Sequence, residues 1–375
     1  MLKIFPRTAA VGVCLLLAGL AAPPFAAGEG FDGWREAAGV RSWSFPADHG
    51  SHPDFQTEWW YFTGNLVSPG GRQWGYQLTF FRMGLATEAA LPENPWSVRD
   101  LYLAHLAVTD VQGKRFSWDE RTSRAGPGLA GAKEGELEVW LLDWRAVMED
   151  GSIALAARSG EMEIDLVLTP GKPPVLHGEG GLSAKGPAHG QASWYTSITD
   201  LRTTGSVRVA GEEEFEVSGK SWFDHEFGSN QLTAGQEGWD WFSLHLADGT
   251  EIMLYRIRRT DGSVEPASSG TLVTADGSAE HLALADFSVE VVEKWKSPAS
   301  GGAYPAGWKI RIPKAGLNID VSPLVKDQEL TTRGTAGITY WEGAVRVEGR
   351  SGEREVTGAG YVELTGYAGS LGGIF

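Results

Sequence analysis

Hydrophobic and polar residues alternate in short segments along most of the chain, and Gly, Pro, Asn and Asp separate these segments. A period of two is typical of strands that turn one face toward a core. The segments 57–66 and 74–83 flank a Ser-Pro-Gly-Gly turn, so they predict a β-hairpin. Residues 145–157 have a weak helical period, but Gly151 interrupts it and paired strands fit better. The Gly-rich segment 121–133 predicts a loop instead.

The second half of the chain repeats the pattern of the first half. Residues 59–63 resemble 239–243, and residues 217–224 resemble 356–363. Because the matching segments occur in the same order, the repeat predicts two related all-β barrels. The alignment pairs Asp224 with Glu363. One interpretation is that an acid at this position has a structural role in both halves. The next two residues, His and Glu in the first half, align with Leu and Thr in the second.

The chain length agrees with this division. A protein of 375 residues exceeds the usual size of one hydrophobic core. We therefore predict two tandem antiparallel barrels, in residues 29–228 and 229–375, as an all-β fold.

The first 28 residues have the composition of a secretory signal peptide. Lys3 and Arg7 precede an apolar run, residues 11–22, that is too short to cross a bilayer. Small residues at 26–28 suit a signal peptidase, so we expect a mature chain from Glu29. The predicted location is the periplasm or the extracellular space.

Composition excludes several classes of function. The formal net charge of −16 disfavours contact with phosphate backbones, so no nucleic-acid partner is predicted. The single cysteine, Cys14, lies in the predicted signal peptide, which leaves the mature chain without thiol or disulfide chemistry. No later segment is long and apolar enough to span a membrane. No phosphate loop, dinucleotide fingerprint or G-x-S-x-G elbow occurs, and no cofactor is predicted.

The densest group of titratable and aromatic residues lies in the segment 221–246, at the predicted junction of the barrels. Asp224, His225 and Glu226 are consecutive there, among Trp and Phe residues. A desolvated carboxyl has a raised pKa, so it keeps a proton that it can donate to an alkene or a leaving group. We predict these three residues as catalytic. The alternative is that Asp224 and Glu226 only accept hydrogen bonds from indoles or from turn backbone.

Three segments, 52–62, 222–228 and 239–242, resemble the two-domain lipocalin-like family that includes AttH and the carotenoid 1,2-hydratases (hydroxyneurosporene synthases). The resemblance extends over nearly the whole mature chain and is strongest to the secreted branch labelled predicted hydrolases. It implies two calycin-type barrels with a cleft for an apolar ligand near their junction.

The resemblance also implies roles for single residues. In the hydratase branch an acid in a Tyr-x-Asp setting protonates an isolated double bond, and Asp224 occupies the matching position, with Trp222 in place of the tyrosine. A His-x-Trp pair of that branch matches Ser193 and Tyr195, so the histidine of the pair is absent here.

The aromatic residues predict a binding site for a lipid, a polyene or an isoprenoid-like molecule. Sixteen Trp residues exceed what packing alone normally uses, although a Trp-rich strand is more often core than pocket. We predict a hydrophobic-ligand protein that catalyses acid-dependent hydration, isomerisation or hydrolysis. The alternative is a non-catalytic carrier of the cell envelope, where envelope or ABC-transporter proteins are candidate partners. The predicted ligand-binding residues are Glu58, Trp59, Trp60, Tyr61, Tyr195, Trp222, Trp239 and Trp241.

A metal site is the third hypothesis. It would draw on His49 and His52, on the adjacent His225 and Glu226, and on His245. None of these pairs has the helical spacing or the cysteine support of a zinc signature, so no metal is predicted.

Overall fold

The computed structural model describes residues 33–91, 97–229 and 232–369. The predicted signal peptide, residues 1–28, lies outside the described residues. Within the described ranges the regular structure consists of 23 β-strands and four short 3-10 helices, which are Ala47–His49, Glu88–Ala90, Leu284–Asp286 and Pro313–Ala315. No helix in these ranges has the length and apolar character needed to cross a bilayer. The predicted all-β class is confirmed.

The first half of the chain forms one antiparallel sheet of thirteen strands. The strands are β1 (Thr57–Val67), β2 (Gln73–Gly84), β3 (Asp100–Asp110), β4 (Arg115–Arg124), β5 (Ala130–Ala132), β6 (Glu138–Leu141), β7 (Trp144–Glu149), β8 (Ser152–Arg158), β9 (Met162–Pro170), β10 (Val175–Leu176), β11 (Leu182–Ala184), β12 (Ala192–Val209) and β13 (Phe215–Gly228). Their order is β4-β3-β2-β1-β13-β12-β9-β8-β7-β6-β5, and β10 and β11 also pair with β12. Because β6 packs against β2, β3 and β4, the sheet curls into a nearly closed barrel.

The second half forms a ten-stranded antiparallel sheet that curls into a half-barrel. The strands are β14 (Gln236–Leu246), β15 (Glu251–Arg259), β16 (Ser269–Val273), β17 (Ala279–Ala283), β18 (Ser288–Lys296), β19 (Ala303–Ile312), β20 (Leu317–Pro323), β21 (Glu329–Thr332), β22 (Ile338–Ser351) and β23 (Arg354–Leu364). Their order is β17-β16-β15-β14-β23-β22-β20-β19-β18, with β21 on β22. The two sheets thus use residues 57–228 and 236–364, and the division of the chain into domains of residues 29–228 and 229–375 stays a prediction.

Two sequence-based expectations about local structure have different outcomes. Residues 145–157 are strands β7 and β8, and Gly151 lies between them with a φ of +78°, as the predicted break requires. The predicted loop 121–133 is wrong at both ends, because it contains the end of β4 and all of β5. Strand β4 is half-buried along almost its whole length, so it lacks the alternation of buried and exposed residues by which a strand is recognised.

The central strands β1 and β13 are buried on both faces, and this arrangement positions the site. One face of each strand points into the barrel, where Trp60, Phe62 and Phe223 belong to the core. The other face contacts the second sheet. Tyr61 of β1 and Trp241 of β14 belong to a separate apolar cluster between the sheets. Burial on both faces explains the nearly continuous hydrophobic run of β1.

Candidate functional site between the two sheets

A cavity of about 450 Å³ lies between the two sheets. Its volume falls within the range of small-molecule sites. Most of its surface is contributed by aromatic and aliphatic side chains from both halves, which include Trp59, Phe81, Leu103, Leu232, Trp239, Trp241 and Ile257. Ionisable side chains occur in the same wall, and they include Glu58, Arg82, His105, Lys185, Asp224, Glu226, Glu342 and Glu363.

Asp224 lies in this wall because β13 continues past the aromatic segment to Gly228. The register of β13 on β1 pairs Asp224 with Tyr61 and Glu226 with Trp59, and side chains of paired residues share one face. The Asp224 carboxylate accepts three hydrogen bonds. Tyr195 Oη donates to Oδ2 at 2.5 Å, Trp222 Nε1 donates to Oδ1 at 2.5 Å, and the Ser197 hydroxyl also donates to Oδ1.

Burial raises the pKa of Asp224 to about 7, and the negative charge of Glu226 acts in the same direction. The three hydrogen-bond donors lower the pKa, but they do not offset the loss of hydration of a side chain in a residue that is 3 % exposed. A carboxyl with this pKa is partly protonated at neutral pH. It can therefore donate a proton to a group in the cavity or take one back.

The donors to Asp224 are themselves held by further hydrogen bonds. Trp241 Nε1 donates to Tyr195 Oη at 3.0 Å, which connects β14 of the second sheet with the acid. His177 Nε2 lies 2.6 Å from Ser197 Oγ, and His177 Nδ1 lies 2.8 Å from Thr271 Oγ1. Burial lowers the pKa of His177 to about 3, so the ring is neutral. With Nε2 protonated, His177 donates to Ser197 and fixes the direction of its hydroxyl toward Asp224.

Glu226 is paired with a buried lysine that no sequence motif indicates. Lys185 Nζ lies 2.7 Å from Glu226 Oε1, and the Ser193 hydroxyl donates to the same oxygen. Burial is the largest single influence on the pKa of Lys185 and lowers it. The charges of Glu226, Tyr255 and Asp224 and the hydrogen bond to Glu226 together outweigh burial, so the net shift is upward. Lys185 therefore stays charged, and the pair places a fixed dipole beside the Asp224 carboxyl.

His225, the second of the three residues predicted as catalytic, lies on the face of β13 opposite Asp224 and Glu226. Its ring stacks on Trp60 at a centroid distance of 5.1 Å, and its Nε2 lies 2.9 Å from Glu58 Oε1. The Glu58 carboxylate also accepts from Arg82 Nε at 3.0 Å. His225 is fully buried in this cluster, so it cannot orient a water for Asp224 from the same side of the sheet.

The same cluster is the place where a metal ion would find ligands. Ligand atoms of His52, Glu58 and His225 all lie within 4.8 Å of one another. Two guanidinium groups border this cluster: Arg82 is bonded to Glu58, and Arg41 Nη2 lies 2.8 Å from His52 Nε2. Positive charge at these positions already balances the carboxylate, so the arrangement favours a buried ion-pair network over a cation site. The other candidate ligands of the metal hypothesis, His49, Glu226 and His245, do not belong to this group.

Comparisons with known proteins agree with the fold. The model of the AttH-like family matches residues 36–367. This chain belongs to the AttH-like family.

Solved structures support the same assignment. The crystal structure of an AttH-like protein from Nitrosomonas europaea is 34% identical, covers 89% of this chain and 99% of its own, and has a TM-score of 0.80. Kievitone hydratase from Nectria haematococca is 17% identical, covers 90% of this chain and 96% of its own, and has a TM-score of 0.66, so it shares the fold. No curated protein matches this chain.

The predicted ligand-binding residues of this AttH-like protein separate into two groups. Trp59, Tyr61, Tyr195, Trp239 and Trp241 line the cavity. Glu58 also lines it, but its carboxylate is bonded to Arg82, His52 and His225. Trp60 packs in the barrel core instead, and Trp222 donates to Asp224.

Replacement of His225 by Asn tests this division of the two faces. The variant loses the hydrogen bond to Glu58 and the stacking on Trp60, so the free energy of unfolding should fall by about 1–3 kcal/mol. Binding of the neutral probe N-phenyl-1-naphthylamine in the cavity should be unchanged, as a fluorescence titration would measure. A folded variant that binds the probe much more weakly would place His225 in the ligand site instead.

Proposed function

We propose that this AttH-like protein binds an apolar small molecule between its two sheets and protonates it through Asp224. The observation that carries the proposal is the Asp224 carboxyl in the wall of a largely apolar cavity, with a pKa of about 7. A lipid, a polyene or an isoprenoid-like molecule fits the chemistry of the lining. That a hydratase has the same fold agrees with this function but does not carry it.

The chemical step follows from the position of the proton. Protonated Asp224 gives its proton to one carbon of an isolated double bond, and the positive charge develops on the other carbon. The rings of Tyr61 and Trp241, which pack edge to face at a centroid distance of 5.1 Å, can stabilise this cation. Water then adds to the cation and returns a proton to Asp224, which completes a hydration. Loss of a neighbouring proton to Asp224 instead completes an isomerisation.

Incorporation of solvent deuterium tests for either reaction in a mixture of unidentified compounds. The protein is incubated in deuterated water with a lipid extract of the cells that produce it, and the extract is then screened by mass spectrometry. A compound that gains carbon-bound deuterium only in the presence of the protein identifies the substrate. If native protein yields a co-extracted ligand but no compound gains deuterium, the alternative function of a non-catalytic carrier holds.

We further propose that the protein acts outside the cytoplasm. The basic n-region and apolar run at residues 3–22 support this location. N-terminal sequencing of the protein purified from its host tests the proposal, and an intact Met1 would contradict it.

A further inference from the structure

A second pair of carboxyl groups lies in the wall of the same cavity. Glu342 on β22 and Glu363 on β23 are directly opposite each other in the antiparallel register, and both line the cavity. Tyr61 Oη donates to Glu342 Oε1, and Trp239 Nε1 donates to Glu363 Oε2 at 2.8 Å. Unlike Glu226, neither forms an ion pair with any described residue.

One oxygen of this pair has no partner. Glu342 is 1 % exposed, and its Oε2 forms no hydrogen bond with any residue that the structure describes. A buried polar atom without a partner costs about 1–3 kcal/mol, so such atoms are rare in folded proteins. Because Glu342 lines a cavity large enough for a small molecule, a ligand atom can supply the missing partner.

The charge around the pair determines what kind of ligand atom fits. Burial raises the pKa of Glu342 well above its usual value, and the neighbouring Glu363 raises it further. This shift favours the protonated, neutral form of Glu342. Since Oε1 already accepts from Tyr61, the proton belongs on Oε2, where it can be donated to an acceptor in the cavity. An anionic ligand is disfavoured, because Asp224 and Glu363 also line this cavity and its two cationic side chains, Lys185 and Arg82, are already paired with Glu226 and Glu58.

We propose that Glu342, next to its cross-strand partner Glu363, forms a polar subsite that binds a hydroxyl or carbonyl oxygen of the ligand. The ligand class is then an uncharged, oxygen-bearing apolar molecule, and neither a pure hydrocarbon nor a fatty-acid anion. Tyr61 fixes the orientation, because it is the cross-strand partner of Asp224 and its hydroxyl contacts Glu342. The oxygen of the ligand lies on the β22–β23 side of Tyr61, and the reacting bond lies on the Asp224 side. This inference rests on the proposed binding of a small molecule in the cavity.

The test uses three probes with one carbon skeleton: farnesol, the hydrocarbon farnesene, and the anion of farnesenic acid. Tryptophan fluorescence titrations give their affinities for the wild type and for Glu342→Met. The substitution should weaken farnesol binding about tenfold, the value of one hydrogen bond, and should change farnesene binding less than twofold. Glu342→Gln is the matched control, since its amide N–H can still donate and should retain farnesol binding within about threefold.

The outcomes separate this inference from the function on which it rests. Equal losses for farnesol and farnesene in Glu342→Met would overturn the polar subsite and leave the apolar site in place. If none of the probes binds the wild type, the proposed binding of a hydrophobic molecule fails as well. Should Glu342→Met not fold, the wild type alone decides, because it should bind farnesol at least tenfold more tightly than the carboxylate. Equal affinities for those two probes would contradict the subsite.

Discussion

Replacement of Asp224 by Asn is expected to slow deuterium transfer to the substrate by about 10²–10⁴-fold, the usual contribution of a general acid. Asparagine keeps the shape of the protonated acid. Its Oδ1 can still accept from Trp222 and Ser197, and its Nδ2 can donate to Tyr195, so the cavity should be preserved. Ligand affinity should therefore change less than threefold while the rate falls. The rate is measured by mass spectrometry in deuterated water, and the affinity by fluorescence titration.

The pH dependence of the wild type follows from the same proton. Because the pKa of Asp224 is raised to about 7, the acid form is present below this pH and is lost above it. A rate limited by proton donation should be constant at acid pH and fall about tenfold per pH unit above 7. A rate that rises with pH through this interval would assign Asp224 the role of a base instead.

Asp240 offers a matched control for the Asp224 variant. It is also a buried aspartate next to an aromatic residue of the site, Trp241, but its side chain contacts Arg258 and Tyr367 on the other face of β14. Asp240→Asn should lower stability and leave the rate per folded molecule unchanged. A loss of activity equal to that of Asp224→Asn would mean that both variants act through the fold.

Replacement of Arg82 by Met is expected to lower the free energy of unfolding by about 3–5 kcal/mol, the cost of leaving buried charges without a partner. Arg82 is 1 % exposed and contacts Glu58 and Asp100, each at 3.0 Å. It also donates to the backbone carbonyls of His52 and Phe55, so it fastens the segment before β1 to the barrel. Urea unfolding followed by tryptophan fluorescence measures the loss.

A surface ion pair on the same barrel provides the control for this variant. Arg208 contacts Glu163 at the barrel exterior, and both side chains are partly exposed. Arg208→Met should cost less than about 1 kcal/mol, because water screens the pair. Equal losses in the two arginine variants would contradict the assignment of the Glu58 cluster as a buried network.

The overall fold could be predicted because its signals are local and are repeated. The period of two in β1 and β2, the turn between them, and the return of the same pattern in β14 and β15 all occur within short segments. The closure of the sheets is not determined by a local signal. The half-barrel depends on how far apart β17 and β18 remain, and no short stretch of sequence encodes that distance.

The site could be predicted only in part, and the reason is geometric. The hydrophobic pattern predicts a strand that ends at Phe223, and it leaves Asp224, His225 and Glu226 as one group beyond the strand. The strand in fact continues to Gly228, and its period of two sends His225 to the face opposite its neighbours.

Other members of the site come from distant parts of the chain. Lys185 lies in the cavity wall, and His177 is hydrogen-bonded to Ser197, a donor to Asp224. Both residues lie next to short strands in segments without a recognisable pattern. Glu363 is the one of these residues that the sequence could have indicated, because the internal repeat aligns it with Asp224. Its pKa is also raised to about 7 by burial, with the charges of Asp224 and Glu226 acting in the same direction.

The protonation state of Asp224 is the central claim, and infrared difference spectroscopy measures it most directly. The carbonyl band of a protonated carboxyl is recorded across the pH range for the wild type and for Asp224→Asn. Glu363→Gln serves to separate the other group that titrates near the same pH. We expect a band that is missing only in Asp224→Asn and that disappears with a midpoint near pH 7. A band for Asp224 that disappears near pH 4, the range of an ordinary aspartate, would contradict this claim.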